Sequence, residues 1–107
     1  VTVTSAYETI ITVDENEQVE DVVDRKRAKL ARAPQAFFLK DIYGAHLRAH
    51  EEGYTGAIDS ATLMRHYGAR LFTVEGPVEN IKITSASDFY IFRAIVEARE
   101  NSQIWGL

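Results

Sequence analysis

Cysteine is absent from the 107 residues, so neither a disulfide framework nor a thiolate metal site can form. Proline occurs only twice, and tryptophan and methionine once each. No apolar run approaches the roughly 20 residues that a membrane-spanning helix needs. No leader with a charged head and an apolar stretch opens the chain. A soluble, cytoplasmic protein is therefore expected, and the lack of cysteine fits a reducing compartment. The six glycines are scattered, and none forms the G-x-G cluster that cradles nucleotide phosphates. Positive charge is not in surplus: 12 Lys and Arg stand against 16 Asp and Glu, a net charge of -4. That balance excludes a nucleic-acid wrapper and a polybasic membrane-surface binder. A local phosphate pocket stays open, because it needs only a few cations.

What is present suits one modest domain. Hydrophobic residues make up 46% of the chain, enough for one small core. Residues 7–13 are β-branched and aromatic and predict a strand. Asp14-Glu15-Asn16-Glu17 predicts a polar turn, and residues 18–24 the returning strand, together a hairpin arm with a charged tip. An extended piece runs on to Ala33, which Pro34 biases away from helix. Leu39, Ile42, Tyr43, Leu47 and Ala49 then recur near helical spacing, with Gly53 as the stop signal. Asp59 is placed to cap a second helix over about 60–67 that ends at Gly68. Residues 70–75 predict a buried strand and 81–83 a short one, with the Gly76-Pro77 turn between them. Ser85 or Ser87 can cap a last helix over 88–99. Its broad apolar face (Phe89, Ile91, Phe92, Ile95, Val96) predicts packing against a sheet. The order β-β-α-α-β-β-α has too few strands for a full sheet. We therefore divide the chain into a β-arm with connecting strands over 1–33 and an α/β portion over 34–107.

Taken singly, the polar residues have ordinary explanations. Arg25 lies in the run Arg25-Lys26-Arg27, and a charge run is usually solvated surface. Lys82 between Ile81 and Ile83 fits an edge-strand lysine that discourages aggregation. Thr9 suits a strand. His46 and His50 share a helical face at a spacing that zinc sites use, but Leu47 follows the first His where the motif has Glu, and no third ligand is evident. We therefore assign no metal ligand. Trp105, in the tail Gln103–Leu107, is unusual for a terminus and is expected to dock on further protein surface.

Three ordered segments change that reading. They are Glu8-Thr9 followed by Val23-Asp24-Arg25; Ala33-Pro34-Gln35-Ala36-Phe37; and Val74-Glu75-Gly76 with Asn80-Ile81-Lys82-Ile83-Thr84 and then Asp88. Together they resemble the C-terminal half of the methylerythritol-phosphate cytidylyltransferase family. That family serves isoprenoid synthesis and includes the ribitol-5-phosphate cytidylyltransferases of teichoic-acid and capsule synthesis. The resemblance implies the C-terminal portion of a Rossmann-like nucleotidyltransferase sheet with a protruding β-arm. It implies a homodimer joined through the arm, and transfer of CMP from CTP to a small alditol phosphate with release of pyrophosphate. Mg²⁺ would travel with CTP, held mainly outside this chain, and a piece without the Gly-rich loop is expected to be inactive alone. Residue by residue, the resemblance makes Thr9 and Arg25 contacts to the alditol phosphate. It makes Lys82 both a substrate contact and the catalytic charge at the α-phosphate. Gln35, Asp59, Asn80 and Thr84 become structural support. The chain departs from the family at Ala33 and Ile58, where Thr is common. Both lost hydroxyls are candidate ligand contacts, which points to an acceptor of the ribitol-phosphate kind. The alternative is a non-catalytic dimerisation or interaction module that keeps the scaffold.

Overall fold

A computed structural model describes residues 1–105, without the side chain of Trp105, so the expectation placed on that side chain and on residues 106–107 lies outside the described residues. The elements are β1 (Thr2–Ser5), β2 (Ile11–Val13), β3 (Val19–Val22), β4 (Lys29–Ala31), α1 (Leu39–Glu52), α2 (Ser60–His66), β5 (Val74–Glu75) and α3 (Ala86–Trp105). Strands β4-β1-β5 form one sheet, with β4 antiparallel and β5 parallel to β1. Strands β2 and β3 form a separate antiparallel hairpin.

The arm folds as its residues predict, although its first strand is shorter than 7–13. The Asp14 carboxylate accepts from the backbone N–H groups of Asn16 (2.8 Å) and Gln18 (3.0 Å), which closes the tip. Every residue of β2 and β3 is exposed, so the hairpin buries nothing within its own chain. β1 is not among the expected elements, although Val1-Thr2-Val3-Thr4 alternates apolar and polar β-branched residues as a strand does. Its central Val3 and Thr4 are both buried, and its parallel partner β5 comes from the far end of the sequence.

Helix α1 ends where Gly53 takes a left-handed conformation (φ 67°). The N–H groups of Gly53 and Tyr54 there return to the carbonyls of His50 and Ala49. α1 and α2 join through Ala45, Ala49, Leu63 and Met64, with Phe37, Ile42 and Leu71 packed around them. A surface clasp reinforces the pair. Tyr54 stacks on His66 at 3.8 Å, and Arg48 lies over the Tyr67 ring at 4.5 Å. Glu52 accepts from both Arg48 and Tyr67. Across the sheet, Lys29 bridges Ser5 and Glu75 at 3.1 and 3.3 Å, a half-exposed pair whose contribution is small.

Two strand expectations and one packing expectation are corrected. The strand over 70–75 shrinks to Val74–Glu75: the Val74 and Gly76 N–H groups donate to the carbonyls of Val1 and Val3, and upstream of them the Phe72 carbonyl accepts only from the Val1 ammonium among the described residues. Residues 81–83 form no strand. The turn at Pro77–Asn80 instead sends them along the segment that follows β4, where the Asn80 side-chain amide donates to the Ala33 carbonyl. Helix α3 is longer than 88–99, and it touches no other element among the described residues. Its N-terminus is a reciprocal cap: Asp88 accepts from the Ser85 and Thr84 N–H groups, and Ser85 Oγ accepts from the Asp88 N–H.

The molecule is accordingly open. Its radius of gyration is 18.1 Å, where a compact chain of this length has about 13 Å. Phe38, Leu39, Phe72, Val74 and the α3 face of Phe89, Tyr90 and Ile91 are all at least half or nearly half exposed.

Candidate functional site

Most of the candidate residues meet where β4 ends. The Arg32 N–H donates to the Thr2 carbonyl at 2.7 Å and carries the β1–β4 ladder one residue further. The chain then passes Ala33 and Pro34 and brings Gln35 to the start of α2. The Gln35 side chain clamps that start from both ends. Its Oε1 accepts from the Ala61 N–H (3.0 Å), and its Nε2 donates to Asp59 Oδ2 (3.1 Å). The other Asp59 oxygen accepts from the Thr62 N–H (2.8 Å) and hydroxyl (2.7 Å). From the opposite side, Asn80 ties the 80–82 segment to Ala33. The result is a cavity of about 420 Å³ lined by Arg32, Gln35, Asp59, Asn80 and Lys82, with Ala31, Ala33 and Ile81 as its apolar part.

The electrostatics of this cavity follow from who is already paired. Hydrogen bonds from Thr62, side chain first and then backbone, and from Gln35 hold the Asp59 carboxyl below its usual range. Asp59 is thus ionised and fully engaged. Arg32 and Lys82 have no carboxylate partner among the described residues. The cavity can therefore receive an anion with several oxygens. It does not fit a resident divalent metal, since its lining offers a single carboxylate beside two cations, too few oxygen donors for such an ion. Among the described residues no group of three or more His, Cys, Asp or Glu is arranged to hold a metal. His46 and His50 lie exposed on α1.

Thr9 and Arg25 lie elsewhere, at the root of the arm. Thr9 is exposed and sits between β1 and β2 rather than in a strand. Arg25 is exposed in a turn, and its Nη1 donates to the Tyr7 carbonyl at 2.9 Å. The Val23 N–H donates to the Ile10 carbonyl at 2.8 Å, which draws the two sides of the root together. Thr84 lies just past the cavity and enters the α3 cap through its N–H. One charged lining residue escaped the sequence reading, Arg32, although a cation directly before Ala33-Pro34 was a usable signal. A larger cavity of about 680 Å³ opens between α1 and residues 67–72. Arg48 in its wall is paired with Glu52, and Arg70 lies over the Phe72 ring.

The model of the family described as 2-C-methyl-D-erythritol 4-phosphate cytidylyltransferase matches residues 1–98. The chain belongs to that family. The ribitol-5-phosphate cytidylyltransferase of Streptococcus agalactiae serotype III is 50% identical over 107 residues, which is 100% of this chain and 45% of that protein. The 2-C-methyl-D-erythritol 4-phosphate cytidylyltransferase of Bacillus licheniformis is 32% identical over 86 residues, 80% of this chain and 37% of that protein. The crystal structure of 4-diphosphocytidyl-2C-methyl-D-erythritol synthase from Anaerococcus prevotii superposes with a TM-score of 0.80 at 24% identity, covering 91% of this chain and 45% of that one. That likeness shows the mixed α/β fold. The chain spans under half the length of these relatives. This coverage does not uphold the narrower expectation of a C-terminal portion, which is corrected to the coarser statement of a mixed α/β chain of the family. Among the described residues no helix is long and apolar enough to cross a membrane.

The Asp59 cap gives a prediction that concerns stability alone. Asp59→Ala should destabilise the fold by about 1–2 kcal/mol, since it removes the α2 cap and the Gln35 clamp together. Asp59→Asn, which keeps an oxygen acceptor, should cost less. The carboxyl is depressed in the folded state, so its contribution is complete above the unfolded value of about 3.9. It is lost as pH falls through the lower folded value. Urea titrations of both variants from pH 7 down to 3 read this directly: the gap to the parent protein should narrow at the acid end.

Proposed function

We propose that the chain is part of a cytidylyltransferase that moves CMP from CTP to an alditol phosphate, ribitol 5-phosphate in preference to methylerythritol 4-phosphate. The observation that carries this reading is Lys82, without an ion-pair partner among the described residues, on an anion-receptive cavity in a chain 50% identical along its whole length to a ribitol-5-phosphate enzyme. Identity to the methylerythritol-phosphate relative is 32% over a shorter span.

In the reaction, a phosphate oxygen of the acceptor attacks the α-phosphorus of CTP. The bond from that phosphorus to the β-phosphate oxygen breaks, and pyrophosphate leaves. Such transfers need positioning and charge stabilisation more than covalent help. Lys82 is the catalytic residue here, with its ammonium placed against the α-phosphate oxygens. Gln35, Asp59 and Asn80 hold the cavity walls that aim it. Mg²⁺ would come with the CTP phosphates, held mainly by parts of the protein outside this chain.

Arg25 and Thr9 bind the phosphate of the alditol. They stand at the root of an arm that buries nothing in its own chain, so we place them in the site of a second subunit, in a homodimer exchanged through the arm. Subunit mixing tests this arrangement. Arg25→Ala and Lys82→Ala are each made in the full-length protein, each nearly inactive. Mixed and allowed to exchange, they should recover roughly a quarter of wild-type activity, because half of the dimers then carry one intact site. No recovery, with exchange confirmed by mass, would place both residues in one subunit's site.

A further inference from the structure

The Lys82 cavity holds a second cation whose position is fixed by a buried hydroxyl. Arg32 is half-buried, and its Nε donates to Thr4 Oγ1 at 3.3 Å. Thr4 is 1% exposed, the most deeply buried polar residue of the sheet. The Arg32 backbone is held as well, by its hydrogen bond to Thr2. The guanidinium therefore has its root fixed at both main chain and Nε, while its Nη groups have no partner among the described residues. The Asp59 carboxylate on the same cavity is engaged by Thr62 and Gln35 and forms no ion pair with it. A planar fork with a fixed root and free Nη groups is suited to two phosphate oxygens, and less of its freedom is lost on binding.

We infer that Arg32 is a phosphate-binding and specificity-determining residue of this site, acting beside Lys82 and gripping a phosphate of the bound substrate. This rests on the cytidylyltransferase reading. It adds a contact in a cavity whose wall at Ala33 has no hydroxyl to offer. The shared chemistry is a phosphate, which belongs either to the alditol phosphate or to the CTP chain.

Calorimetric titration of the full-length protein separates these sources. Ribitol 5-phosphate and CTP are titrated in turn onto wild type, Arg32→Ala and Arg32→Lys, with the melting temperature of each variant measured alongside. Loss of one charge-assisted contact predicts that Arg32→Ala weakens binding of one of the two ligands roughly tenfold or more. The other ligand should be affected less than about twofold, and Arg32→Lys should recover part of the loss through its charge. A selective loss with ribitol 5-phosphate assigns the fork to the acceptor, and one with CTP assigns it to the nucleotide. Either supports the inference. Equal weakening of both ligands in step with a lower melting temperature reduces Arg32 to a clamp on Thr4 and overturns it. So does unchanged binding in a wild type that releases pyrophosphate. A wild type that binds neither ligand removes the cytidylyltransferase reading itself, and the role of Arg32 with it.

Discussion

Lys82→Ala in the full-length protein is expected to lower kcat for pyrophosphate release by roughly 10²–10³-fold, the usual cost of removing one preorganised donor to a charge that develops in the transition state. Stability should change by less than about 0.5 kcal/mol. Lys82 is exposed, makes no ion pair among the described residues and lies outside the sheet. This contrast distinguishes chemistry from the plain reading of Lys82 as a solubilising edge residue, under which turnover would be untouched. Arg should rescue only part of the loss, since it restores the charge but presents it on a planar, longer head. The measurement is a steady-state profile with both substrates varied, together with urea unfolding of the same preparations. A fall in kcat that tracks a fall in stability would return Lys82 to a structural role.

The second large effect concerns α3. Among the described residues no other element packs against the 20-residue α3, and most helical stability in proteins comes from packing an amphipathic face rather than from propensity. Its Ser85–Asp88 cap helps the first turn only. In the 107-residue chain, amides over 90–100 should exchange hydrogen close to the unprotected rate. Those of Leu63 and Met64, in the α1–α2 core, should be slower by orders of magnitude. In a protein of the relatives' full length, the same α3 amides should become protected as Phe89, Ile91 and Phe92 find a surface to cover them. Protection of α3 in the short chain equal to that of α2 would mean that the helix packs on its own chain after all.

Legibility in the sequence followed the range of the interaction. Gly53 as a helix stop, Asp59 as a cap and Asp14 as a turn former each act within four residues, and each stands where its chemistry predicts. β1 was legible in the alternation Val1-Thr2-Val3-Thr4 and went unread; what the local pattern does not reveal is its pairing with β4 and β5. The segment 81–83 has strand-like residues, but Asn80 is drawn to Ala33, 47 positions earlier, and that contact takes the segment out of the sheet. The apolar face of α3 was visible, yet the surface it suits is not among the described residues. At the site, Lys82, Asn80, Gln35 and Asp59 came from a family pattern, and the structure brings them around one cavity. Thr9 and Arg25 came from the same pattern and lie apart from it at the arm's root. Arg32 was missed because its significance depends on Thr4, a residue 28 positions away that fixes its root.

Pyrophosphate release by the full-length protein, with CTP and either ribitol 5-phosphate or methylerythritol 4-phosphate, tests the central claim most directly. Release that requires an alditol phosphate, with kcat/KM higher for ribitol 5-phosphate, is the predicted result. No release with either acceptor, from a folded protein supplied with Mg²⁺, would contradict it and leave a scaffold that joins subunits without chemistry.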